Sequence, residues 1–133
     1  MFSELQVTTR LRREFIDITG SVREVVHLSQ ITSGILTVYS PHSTAAITVN
    51  ENWDPDVLHD VLLHFASMVP SHNPQFRHGE GNSDSHILAS LMGPSASLII
   101  RNGALYLGQW QGIYLCEFDG PRTRTVAVQV VPA

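Results

Sequence analysis

Gly34-Ile35-Leu36-Thr37-Val38-Tyr39 and, beyond Pro41, Ala45-Ala46-Ile47-Thr48-Val49 are the two most strand-like runs in the chain. Both are rich in β-branched residues and bounded by turn formers, so they are expected to be central strands. Toward the C-terminus, Asn102-Gly103 separates Ser97-Leu98-Ile99-Ile100 from Ala104-Leu105-Tyr106-Leu107. That dipeptide between apolar runs predicts a tight hairpin. Ile113–Phe118 and Thr125–Val130 supply two further strands, and Leu5–Thr8 and Phe15–Ile18 alternate in the strand period near the start.

Helical signals fall between these runs. Thr19 or Ser21 caps a short helix bearing Val22, Val25, Val26 and Leu28. Asp54-Pro55 opens the clearest helix, with Leu58, Val61, Leu62, Phe65 and Val69 as its apolar stripe and Pro70 as its stop. Ser83 or Asp84 caps a third, through Ile87, Leu88 and Leu91 to Gly93-Pro94. Strands at both ends with two or three helices between them predict an α+β fold with a largely antiparallel sheet, in one domain spanning 1–133.

Composition narrows the chemistry. The 133 residues are 43% hydrophobic but only 15% charged, below the roughly 25% of an average soluble domain, which predicts surface covered in an oligomer. A net charge of −4 and a pI near 5.9 argue against nucleic acid as the main partner. All 8 basic residues are arginine, which excludes Schiff-base catalysis and a Walker lysine. The single cysteine, Cys116, excludes an internal disulfide and any CxxC site, and its apolar strand predicts an inert core thiol. No basic-then-apolar leader opens the sequence and no apolar run nears the roughly 20 residues of a membrane span, so a soluble cytoplasmic protein is expected.

The densest polar cluster is His78-Gly79-Glu80-Gly81-Asn82-Ser83-Asp84-Ser85-His86, inside a long loop running from Ser71. Two imidazoles bracketing Glu80, Asn82 and Asp84 can hold a divalent transition metal, or can be a solvated loop with a helix cap. His42-Ser43-Thr44, between two strands, reads either as a ligand or phosphate contact or as an ordinary turn. Glu51 ends a strand and faces a pocket or water. Asp60 and His64 are spaced as an i,i+4 pair on a solvated helix face. Trp110, between Gln109 and Gln111, offers an aromatic wall, although the core is the commoner place for tryptophan. Arg77, Arg101, Arg122 and Arg124 are candidate phosphate clamps. His78-Gly79-Glu80 mimics the HxE of zinc deaminases, but no PCxxC follows; GxSxG, HExxH and a strand-to-helix GxGxxG are absent.

Taken in order, these motifs resemble the YjbQ family: His42-Ser43-Thr44-Ala45-Ala46, Asn50-Glu51, His78-Gly79-Glu80-Gly81-Asn82, Asp84-Ser85-His86, Gly108-Gln109-Trp110-Gln111-Gly112-Ile113 and Glu117-Phe118-Asp119-Gly120-Pro121-Arg122. One departure is Gln109, where the family usually has threonine. The resemblance implies a sandwich-like subunit that assembles as a homotrimer, with sites near the interfaces. It also implies a metal site on His42, His78 and His86, holding zinc or another transition metal, with magnesium an alternative.

Members of the family are described as secondary thiamine-phosphate synthases, which join a pyrimidine diphosphate to a thiazole phosphate and release pyrophosphate. On that reading Glu51, Glu80 and Asp84 are the catalytic carboxylates. Ser43, Thr44, Asn82, Trp110, Gln111 and Arg122 hold a small phosphorylated metabolite. Two other readings use the same residues: a metal-dependent hydrolase of small phosphate esters, and a non-catalytic trimeric protein that binds metal or metabolite.

Overall fold

The run Gly112–Phe118 is buried at every position. A strand with no solvent-facing side needs a packed layer on each face, and the rest of the chain supplies both. The computed structural model describes residues 1–133 as β1 (Phe2–Thr8), β2 (Glu14–Asp17), α1 (Thr19–Ser29), β3 (Ser33–Tyr39), β4 (Ala45–Glu51), α2 (Pro55–Met68), α3 (Ser83–Met92), β5 (Ser95–Arg101), β6 (Ala104–Leu105), β7 (Gln111–Glu117) and β8 (Thr123–Pro132). A five-stranded sheet is ordered β1-β8-β3-β5-β6 and a three-stranded sheet β2-β7-β4, with every pairing antiparallel. The expected α+β fold is thus observed as two antiparallel sheets with three helices.

Between the sheets lies the main core. Ile113 and Leu115 of β7 meet Ile47 of β4, Leu36 and Val38 of β3 and Val126 and Val128 of β8, while Val22, Val25 and Val26 of α1 close one side. Each such side chain contributes about 1.5–3 kcal/mol when fully buried. Alternate residues turn the other way: Cys116 and Phe118 join Ala46, Leu88, Ala89 and Val69 in a second cluster beneath α3. The predicted hairpin forms at Asn102-Gly103, with φ of 54° and 76°, the left-handed pair a two-residue turn requires.

Four details differ from the sequence expectation. β4 is an edge strand of the small sheet; its run is apolar because the main core and α3 cover its two faces. Neither Thr19 nor Ser21 caps α1: Asp17 accepts from the Thr19 N–H, and the Thr19 hydroxyl accepts from the Ile113 N–H at 2.8 Å. Asp84 does not cap α3, which starts after Asn82 with no side-chain cap. Trp110 is 47% exposed, outside the core. The Asp54-Pro55 start of α2 is as expected, with Asp54 accepting from the Asp56 N–H. Yet α2 has no fully buried residue, and Leu58, Val61, Leu62 and Phe65 are half-buried. No helix is long and apolar enough to cross a membrane.

Candidate functional site

The chain passes from the large sheet to the small one at residues 40–44, and that crossing carries His42-Ser43-Thr44. The same end of the molecule receives the C-terminal end of β7, the start of β8 and the loop into α3. These segments enclose a cavity of about 390 Å³ lined by Pro41, His42, Ser43, Thr44, His78, Glu80, Asn82, His86, Asp119, Arg122 and Arg124. Apart from Pro41, every lining side chain is polar or charged.

Beneath the cavity sits a buried ion pair. Glu117 is fully buried and Arg124 is 3% exposed. Arg124 donates to the Glu117 carboxylate through Nε and Nη2, and Nη2 also donates to Thr44 Oγ1 at 2.9 Å. Glu117 further accepts from the Thr9 hydroxyl at 2.8 Å and the Asp119 N–H at 3.2 Å. A buried pair persists only when its remaining hydrogen-bonding capacity is met in this way.

The α3 side is pinned at its first turn. Ser85 Oγ donates to the Phe118 carbonyl at 2.6 Å, which ties α3 to the end of β7. Asp84 is fully buried and takes a bidentate pair from Arg12, at 3.1 and 3.2 Å, plus a bond from Arg13. Burial pushes the Asp84 carboxyl up, but the two guanidinium groups outweigh it and hold its pKa below the usual 3.8. Gly81, at φ +71°, makes the turn that places Glu80 ahead of Asn82. Asn82 and His86, four residues apart on one helix face, both reach the cavity. Asn82 Nδ2 donates to Asp119 Oδ2 at 2.8 Å, and Arg122 pairs with the same oxygen at 2.9 Å. Those bonds outweigh burial and hold the Asp119 carboxyl low as well.

Of the residues singled out from sequence, the fold brings together His42, Ser43, Thr44, His78, Glu80, Asn82, His86, Arg122 and Arg124. It does not bring six others. Asp84 lies behind the cavity, committed to Arg12 and Arg13. Glu51, Trp110 and Gln111 lie at the far end of the β4–β7 pair, where Glu51 registers with Gln111. The near end registers Ala45 with Glu117, six residues away, or about 20 Å along the strand. Glu51 there accepts from the Asp54 N–H and Gln111 closes its own loop by accepting from the Gly108 N–H. Arg77 and Arg101 are exposed elsewhere, and Asp60 pairs with His59 at 3.0 Å rather than with His64. Cys116 is fully buried, and burial pushes its thiol far up, as expected of an inert core thiol.

Sequence reasoning gave Glu117 and Asp119 no role, although both stand in the Glu117–Arg122 motif. The available signal was a carboxylate interrupting the apolar run Ile113–Phe118 with an arginine seven residues later.

The donor set can be tested against a metal. The His78 and His86 rings meet edge to face with centroids 5.6 Å apart, and Glu80 Oε2 lies 3.9 Å from His78 Nε2. His42 differs, because its Nε2 accepts from the Thr125 N–H at 2.9 Å. Burial and the nearby Arg124 hold His42 below the usual imidazole range. No three histidine, cysteine or carboxylate side chains gather closely enough to enclose an ion. His78 and His86 are therefore the imidazoles that would hold an ion, and the residues do not assemble a set of three.

An α+β fold of two antiparallel sheets with a polar cavity where the chain changes sheet defines the class. Within it, the chain belongs to the YjbQ/UPF0047 family: the model for "UPF0047 protein YjbQ-like" matches residues 3–133. UPF0047 protein YugU of Bacillus subtilis is 48% identical over 131 residues, covering 98% of this chain and 99% of that protein. A UPF0047 protein of Methanocaldococcus jannaschii is 44% identical, covering 98% and 94%. The crystal structure of an uncharacterised YjbQ/UPF0047 protein of Clostridium acetobutylicum superposes with a TM-score of 0.95 at 48% identity, over 97% of this chain and 99% of that one. A protein of unknown function from Sulfolobus solfataricus gives 0.95 at 32% identity, over 100% and 97%.

Proposed function

We propose that the cavity binds a small phosphorylated metabolite beside a divalent metal ion and carries a thiamine-phosphate-synthase-like transfer. The observation that carries this reading is one polar cavity uniting His78, His86 and Glu80 with Arg122 and Arg124. His78 and His86 would hold the ion, zinc or another transition metal by their chemistry, with magnesium the oxygen-ligated alternative. A bound ion would neutralise negative charge gathering on a leaving phosphate.

The rest falls to this chain's own residues. The thiazole nitrogen forms a bond to the pyrimidine methylene carbon as the carbon–oxygen bond to pyrophosphate breaks. That nitrogen loses no proton, so the step needs charge stabilisation and alignment more than a strong base. Arg122 sits at the rim, held by Asp119, and would orient a terminal phosphate. Ser43, Thr44 and Asn82 shape the wall.

The metal-dependent hydrolase of phosphate esters is favoured by one feature, Glu80, a carboxylate at the cavity beside His78 that can take a proton from attacking water. The homotrimer belongs to the same proposal, supported by the half-buried apolar stripe of α2 with Leu63 and Met68 exposed beside it.

The test is metal content and substrate turnover of chelator-free wild type, His86→Ala and Glu80→Gln. About one ion per chain in wild type, lost in His86→Ala, is expected. Glu80→Gln keeps the ion; abolished ester hydrolysis in that variant favours the hydrolase, whereas retained pyrophosphate release favours the transferase. Metal-free wild type with no turnover would sink both. Light scattering is expected to give three times 14.7 kDa, and a single-chain mass would remove the trimer.

A further inference from the structure

Arg124 has five N–H donors, of which Nε and Nη2 are taken by Glu117 and Thr44. Nη1 donates to no protein acceptor. The only sealed side-chain atoms without partners are Arg13 Nε and Asn82 Oδ1, so Nη1 of this otherwise buried arginine opens onto the cavity it lines. Beside it, His42 accepts from the Thr125 N–H through Nε2, which spends that lone pair. The ring must then be neutral with its proton on Nδ1, because an imidazolium offers no acceptor. A protonated Nδ1 cannot ligate a metal, and no protein group accepts its hydrogen. Arg124 and Thr125 are consecutive at the start of β8, so one stretch of backbone fixes both groups.

We propose that His42 Nδ1–H and the Arg124 Nη1 edge form a donor wall for the phosphoryl oxygens of a phosphate monoester, and that His42 binds substrate rather than metal. The proposal rests on reading the cavity as a site for a phosphorylated metabolite. Its charge logic is consistent with that reading. Arg124 is already matched by Glu117 and Arg122 by Asp119, so the wall supplies directional donors while the dianion's charge is left to the ion.

The test uses inorganic phosphate and zinc as separate calorimetric probes of full-length wild type, His42→Ala, His42→Asn and His86→Ala. Phosphate is titrated with and without zinc. His42→Ala is expected to keep the wild-type zinc stoichiometry while phosphate binding weakens roughly tenfold to a hundredfold. His42→Asn places an amide donor near the lost Nδ1–H and restores most of that affinity. Nitrogen-15 spectra of the wild type should show His42 as the Nδ1–H tautomer.

Loss of zinc in His42→Ala, as in His86→Ala, would overturn the proposal by making His42 a ligand. Unchanged phosphate affinity in His42→Ala, or an Nε2–H tautomer, would overturn it while leaving the cavity reading intact. Wild type that binds no phosphate under either condition would remove both.

Discussion

The two ends of the β4–β7 pair are built from adjacent stretches of the same strands and behave oppositely. At the Ala45–Glu117 end a carboxylate is fully buried against an arginine, and polar side chains line an indented cavity. At the Glu51–Gln111 end the polar side chains are spent on loop closure, and Trp53 and Trp110 meet edge to face at 5.3 Å, 74% and 47% exposed. Buried charge at one end demands partners from several distant segments, so it gathers Thr9, just past β1, the start of β8 and the 40–44 crossing around itself. Exposed aromatics at the other end make no such demand. The lesson is that polar residues in these motifs do one of two jobs, and burial separates them.

The sharpest way to break the contrast is to remove one member of the buried pair. Glu117→Ala leaves Arg124 without a carboxylate in the interior and is expected to cost about 3–5 kcal/mol, a large share of a small domain's roughly 5–15 kcal/mol. Glu51→Ala removes only a 3.3 Å bond at an exposed loop, and surface changes of that kind stay within about 0.5 kcal/mol. Urea denaturation of both variants checks the difference, and equal midpoints would erase it.

Asp84 gives the next effect and a pH signature. Asp84→Asn is expected to cost about 1–3 kcal/mol at pH 7, since a charged acceptor of two arginines becomes a neutral amide. The wild-type carboxyl titrates below 3.8 when folded, so its contribution is complete above the unfolded value and disappears as pH falls through the folded one. The stability gap between wild type and Asp84→Asn should therefore be constant from pH 7 to about 5 and narrow only once the pH falls below the unfolded carboxyl's value, shrinking further as it passes through the lower folded one. A gap that widens on acidification would contradict the pairing with Arg12 and Arg13.

The fold was largely legible because period-2 apolar runs and turn dipeptides are local signals: the Asn102-Gly103 hairpin and the Asp54-Pro55 helix start need no distant partner. The split into two sheets was not, since nothing local at Pro41 tells the next strand to leave its neighbour. The loop histidines and Asn82 were legible as a polar cluster. Where Asp84 and Trp110 sit was not legible for one shared reason: a sequence shows which residues have polar or aromatic chemistry but not which distant groups will occupy it, here Arg12 and Arg13 for the one and Trp53 for the other.

The smallest predicted effect tests how far that separation extends. Both tryptophans of the chain lie at the far end, about 20 Å along β4 from the cavity. Trp110→Ala is accordingly expected to change phosphate affinity by less than about twofold, well under the loss of one hydrogen bond to a charged group. Its stability cost should not exceed about 1.5 kcal/mol, the upper worth of an aromatic pair. Intrinsic fluorescence should stay flat while phosphate or zinc is titrated. A tenfold loss of affinity, or strong quenching on binding, would mean that the far end of one copy completes the cavity of another. The two ends would then meet between chains although the strand keeps them apart within one.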